Sequence, residues 1–164
     1  MIEAIDTIVI DEISMVRADM LDYIHVFLQE ARWSYKAFGG IQMILVGDPF
    51  QLPPVVGYRE RQYFQSVYRS PYFFSSKIFN DGGFSFEFVE LEHVYRQRDS
   101  HFLDLLNKIR NKEHSDDDIS ALNKSIGEKP ERIPLGTMYL TATNNDAAFI
   151  NSEELELLES EEFV

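Results

Sequence analysis

Two short hydrophobic runs, TIVIDE at residues 7–12 and IQMILVG at residues 41–47, constrain this chain more than anything else in it. Each is too short for a helix and leads into acids, Asp11 and Glu12 after the first and Asp48 after the second. Neither alternates polar with apolar residues, which is the pattern of parallel strands covered on both faces. Between them, Met20, Leu21, Ile24, Phe27, Leu28 and Ala31 recur at helical spacing, so residues 19–32 read as a helix. Gly39-Gly40 then breaks the chain ahead of the second run. Strand, helix, strand in that order requires a right-handed crossover. The fold class is therefore α/β, a parallel sheet flanked by helices.

Beyond residue 47 the pattern changes. DPFQLPPV is a proline-stiffened turn, followed by an aromatic stretch at residues 58–79 that reads as loop and short helix. FSFEFVEL at residues 84–91 alternates and predicts a further strand. Asp99 can cap a helix running to about residue 111, with Phe102, Leu105, Leu106 and Ile109 inward. Ser115 with Asp118 resembles a capping box for a helix through residue 126. The polar segment 127–134 contains two prolines and marks a boundary, placed at 130/131. A strand at 137–141 and a helix at 144–158 are expected after it.

An aspartate at the C-terminal end of such a strand can hold Mg²⁺ on a nucleotide through water, and an adjacent glutamate can orient the attacking water. The same two acids can equally cap the following turn. In the second strand, Gly47 and Asp48 precede Gln51, whose neutral amide can hydrogen-bond a terminal phosphate, with Pro49, Pro53 and Pro54 stiffening the loop.

These strings resemble superfamily 1 DNA helicases of the RecD-like, or Pif, class. DEISMV is similar to their motif II and GDPFQLPPV to motif III; LEHVYRQRDSHFLDLLNKIRN, at residues 91–111, is similar to the segment holding motif IV. LTATNNDAAFIN, at residues 140–151, resembles the opening of their second RecA-like domain. The resemblance runs along nearly the whole chain. It implies a RecA-like P-loop NTPase core, with residues 1–130 the latter part of a first domain and 131–164 the start of a second. It implies ATP and Mg²⁺ as cofactors, single-stranded or forked DNA as partner, 5′-to-3′ unwinding, and service in DNA repair or recombination. By the same resemblance Asp11 handles Mg²⁺, Glu12 the water, Asp48 and Gln51 the nucleotide, and Arg96 the charge developing on the phosphates. Thr143 and Asn144 are helix caps in any event, and the resemblance adds a contact to the DNA backbone or the interdomain cleft.

Three features pull against that picture. No G-x-x-x-x-G-K-[ST] string occurs in the 164 residues, so the loop that cradles phosphates is expected to be missing and this chain alone inactive. In RecA-like sheets the strand bearing that loop lies beside the one leading into motif III, so by the resemblance residues 41–46 should here form an exposed edge that pairs with a second copy or is covered by residues 84–89. The formal net charge is −13, with six of the acids at residues 153–162, so any DNA contact must be local. An acidic, non-catalytic protein-interaction module that retained the fold is the rival reading.

The remaining signals are exclusions. The chain has no Cys, so disulfides and thiolate metal sites are out, and a cytoplasmic or nuclear setting is expected. No apolar run nears the roughly 20 residues of a membrane helix, so no membrane partner is expected. His25, His93, His101 and His114 lack metal-ligand spacing. The aromatics of residues 58–79 can be stacking platforms for bases or packing beneath a loop.

Overall fold

The computed structural model describes residues 2–81, 85–95, 97–124 and 137–157. They fall into two compact units, residues 1–122 and residues 123–164. The expected boundary at 130/131 lies outside the described residues.

In the first unit, β1 (Thr7–Ile10) and β2 (Gln42–Leu45) pair in parallel, with Thr7 opposite Gln42 and Ile10 opposite Leu45. The crossover between them is α1 (Ala18–Ala31). Its Leu21 and Leu28, two turns apart, are buried with Phe38, Ile41 and Ile78, and Ile8, Ile10 and Met43 of the sheet pack onto that cluster. Met20 and Phe27, expected on the same face, are instead exposed. α1 ends as Trp33 takes a left-handed conformation (φ 50°), and a second left-handed turn at Phe38 and Gly39 (φ 49° and 64°) swings the chain back into β2.

The strands are not covered on both faces. Ile8, Ile10, Met43 and Leu45 point toward the core side, whereas Val9 and Ile44 on the opposite face are 60% and 42% exposed. An all-apolar strand needs a layer on each side, and the described residues supply one only. β2 has β1 as its single strand partner among the described residues.

After β2 come α2 (Arg61–Val67) and α3 (Lys77–Asn80). The carboxylate of Asp22 on α1 accepts from the Lys77 and Ile78 amides at 3.0 and 3.1 Å and from the Tyr68 hydroxyl at 2.9 Å, which anchors α3. Phe64 is buried, Phe73 and Phe79 pack on the core, and Arg17 lies over the Phe64 ring while pairing with Asp19 and Glu60. Most of the aromatic stretch is thus packing; Tyr58, Tyr63 and Phe74 stay exposed.

Two expected strands do not form. Residues 85–91 carry no strand, and Phe88, Val89 and Leu91 are exposed, although Phe86 keeps a ring contact to Phe79 at 5.0 Å. Residues 137–141 are likewise non-strand. Alternation makes a segment amphipathic, but a strand also needs a neighbour to bond, and residues 85–89 do not take up the open edge of β2.

The helical expectations fare better, although Leu106, expected inward, is exposed. Asp99 caps α4 (Ser100–Asn111), accepting from the His101 and Phe102 amides at 3.0 Å each. Ser115 and Asp118 form the reciprocal box before α5 (Asp116–Lys124). In the second unit, Thr143 accepts from the Asp146 amide at 3.2 Å and starts α6 (Asn144–Glu156). No described helix is long and apolar enough to cross a membrane.

His25 gives the first unit a pH dependence. Its Nδ1 accepts from the Phe38 amide at 3.0 Å, and its ring meets Phe38 edge-on. Burial holds its pKa below the ordinary 6.5, against the opposing pull of Asp22. The unfolded chain therefore takes up a proton first as pH falls, so the stability owed to neutral His25 is complete above about pH 6.5 and lost below it. The melting midpoint is expected to fall from pH 7 to pH 5, and His25→Gln to flatten that slope. Equal slopes in the two proteins would rule this out.

Candidate nucleotide site

The parallel register brings the C-terminal ends of β1 and β2 side by side, and the candidate residues follow directly from both. At the end of β1, the Asp11 carboxylate accepts from the Glu12 amide at 2.9 Å. Glu12 itself is left-handed (φ 52°, ψ 42°), a conformation that costs a non-glycine residue roughly 1–2 kcal/mol. Buried Ile13 holds the turn in place, because its amide donates to the Val46 carbonyl at 2.9 Å. Both carboxylates are left exposed at the sheet edge.

At the end of β2, the Val46 amide donates to the Ile10 carbonyl at 2.9 Å, so the two exits are stitched together. Gly47 comes next and passes so close to the first turn that a Cβ there would lie 2.9 Å from the Ile13 nitrogen. Only glycine permits that approach.

The loop after Gly47 is organised around Asp48. One oxygen accepts from the Phe50 amide and from Arg110 on α4, each at 3.0 Å; the other accepts from the Gln51 side-chain amide at 3.3 Å. Burial alone would raise the Asp48 carboxyl, but those three donors outweigh it and hold the pKa below the usual carboxylate range. The Arg110 guanidinium also lies 4.8 Å from the centre of the Phe50 ring. Arg110 escaped the sequence analysis: it stands 62 residues from Asp48 and looks like one more base in the last turn of a helix.

The structure therefore assembles Asp11, Glu12, Asp48 and Gln51 at one sheet edge. Arg96 lies outside the described residues. Thr143 and Asn144 belong to the other unit, where Thr143 acts as a cap and its hydroxyl donates to Asp146 at 2.7 Å. Among the described residues no group of three or more His, Asp or Glu side chains could hold a metal ion. A hard cation here would have to arrive with phosphate oxygens and water, the arrangement Mg²⁺ prefers, and a lone exposed Asp11 carboxylate suits it.

A family model described as PIF1-like helicase matches residues 1–119. The ATP-dependent DNA helicase PIF1 of Saccharomyces cerevisiae is 38% identical over 109 residues, covering 66% of this chain and 12% of the yeast protein. The mouse helicase of the same name is 33% identical over 151 residues, covering 92% of this chain and 22% of its own length. Among solved structures, a Pif1 helicase from Bacteroides in complex with ADP-AlF3 and single-stranded DNA is 33% identical with a TM-score of 0.87, covering 98% of this chain and 37% of that one. The Candida albicans Pif1 helicase matches with a TM-score of 0.73 at 28% identity, over 95% of this chain and 33% of its own. The chain spans less than a quarter of the length of these curated relatives.

Proposed function

The chain belongs to the PIF1-like helicase family, and from that premise we propose that it supplies the hydrolytic edge of an ATP-dependent DNA helicase. The observation that supports this most is the joining of the Asp11-Glu12 turn to the Asp48–Gln51 loop by the Ile13–Val46 and Val46–Ile10 hydrogen bonds. Residues 1–130 are then the latter part of a first RecA-like domain, and 131–164 the opening of a second.

In this reading Asp11 would hold Mg²⁺ through water, and the ion would supply neutralisation of phosphate charge. Glu12, exposed and fixed by its turn, orients the attacking water and accepts its proton. Gln51 donates its amide to the γ-phosphate. The side chain is oriented toward Asp48 before nucleotide arrives, so occupation of the site has a defined contact to exchange. Asp48 braces the loop from below, and Arg96 meets the charge that develops during transfer. Single-stranded or forked DNA, unwound 5′ to 3′, is the substrate we assign to the complete helicase.

In a complete helicase containing these residues, Gln51→Ala is expected to impair unwinding more than nucleotide binding. One neutral hydrogen bond contributes about 0.5–1.5 kcal/mol, so affinity should fall by no more than about tenfold. Equal losses of affinity and unwinding would remove the sensing role. The 164-residue chain by itself is expected to show no ATPase activity and to pair through residues 41–46, giving a solution mass twice its 19.1 kDa. Magnesium-dependent turnover abolished by Glu12→Gln would overturn the first expectation, and a monomer the second.

A further inference from the structure

The geometry points to Arg110 as a positioning residue that ties the Gln51 loop to α4. This deepens the proposed helicase function and rests on it. Three observations converge on Arg110. Its guanidinium pairs with the Asp48 oxygen that also accepts from the Phe50 amide, and it lies over the Phe50 ring. Asp48 in turn holds the Gln51 side chain. The loop therefore rests on α4 through an ion pair and a cation–ring contact, a combination for which the planar guanidinium is suited and lysine less so.

α4 is a sound support. Its first turn is capped by Asp99, and its Leu105 is buried. Arg110 sits in its last turn, while Arg96 precedes the cap by three residues in sequence. The helix spans 12 residues, roughly 18 Å at about 1.5 Å per residue. A phosphate that pulls Gln51 must move a loop fastened to the end of this helix. Arg110 touches no reacting atom in this scheme; it sets where Gln51 starts from and transmits its displacement.

The test uses the complete helicase with Arg110→Ala and Arg110→Lys, read by amide hydrogen exchange without nucleotide and by steady-state ATPase with single-stranded DNA. For Arg110→Ala, exchange in a peptide spanning residues 48–52 should rise about tenfold while residues 41–46 keep their protection. The kcat should fall about tenfold with nucleotide Kd within twofold, and unwinding per ATP should drop. Arg110→Lys, which keeps a cation for Asp48 but not the guanidinium plane over Phe50, should restore only part of both. Unchanged exchange at 48–52 would overturn the clamp, and raised exchange with unchanged kcat and unwinding would overturn its positioning role. If the unaltered protein hydrolysed no ATP, the helicase reading would fail instead, while the exchange data would still report on the clamp.

Discussion

Glu12→Gln in the complete helicase is expected to lower DNA-stimulated ATP turnover by roughly 10²–10⁴-fold, the range contributed by a positioned acid or base, with little change in nucleotide affinity. The substitution keeps size and shape and removes only the ability to take a proton. The turn should survive it, because the turn is held by backbone groups: Ile13 to Val46 at 2.9 Å and Met15 to Glu12 at 3.0 Å. The side chain has no hydrogen-bonded cap role of its own there. That observation disfavours the capping role left open for Glu12, whereas Asp11 does accept the following amide. Steady-state kinetics beside a binding titration with a slowly hydrolysed nucleotide measure the two quantities separately. A loss of less than tenfold would take Glu12 out of the water-activating role.

The largest effect on stability is expected at Gly39. Its φ of +64° is left-handed, and a Cβ there would collide with the Leu28 carbonyl oxygen and lie 2.9 Å from its carbon. Backbone, unlike a flexible side chain, has little room to yield. Gly39→Ala should therefore cost on the order of 3 kcal/mol or more, combining conformational strain with overpacking. Gly40 is the internal control. Its φ is +84°, but its nearest neighbour is the flexible Lys36 side chain at 3.5 Å. Gly40→Ala should carry only the backbone term, about 1–2 kcal/mol. Denaturant titrations of the three proteins would rank them, and a Gly39→Ala midpoint equal to that of Gly40→Ala would refute the collision. The damage should extend to Phe38, fully buried in the same turn and packed on Leu21 and Leu28.

The elements that could be read from the residues share one property: their signal is local. Apolar spacing over residues 19–32 marks α1, and the caps at Asp99, Ser115 and Thr143 lie within a few residues of the amides they bind. Asp11, Glu12, Asp48 and Gln51 could be singled out because a strand end carries its site in the next few residues. What escaped depends on distance along the chain. FSFEFVEL has the right alternation, yet its described residues, 85–91, carry no strand. Val9 and Ile44 are as apolar as their neighbours, but no described layer covers them. Arg110 acquires a role only once α4 is laid against the Asp48 loop. Gly39-Gly40 read simply as a break, since nothing in the string announces that Leu28 will sit against the turn.

The close passage of Gly47 over the Ile13 amide bears on which second-site changes could ever repair a damaged protein. The atom that an added methyl would meet at 2.9 Å is a main-chain nitrogen, common to every amino acid. Trimming Ile13 to a smaller residue would relieve its Cγ2, at 3.0 Å, and leave that nitrogen where it is. A Gly47→Ala allele should thus have no simple suppressor at position 13. A side-chain change at position 13 can be accommodated, but the spacing between Glu12 and Gln51 is set by the glycine.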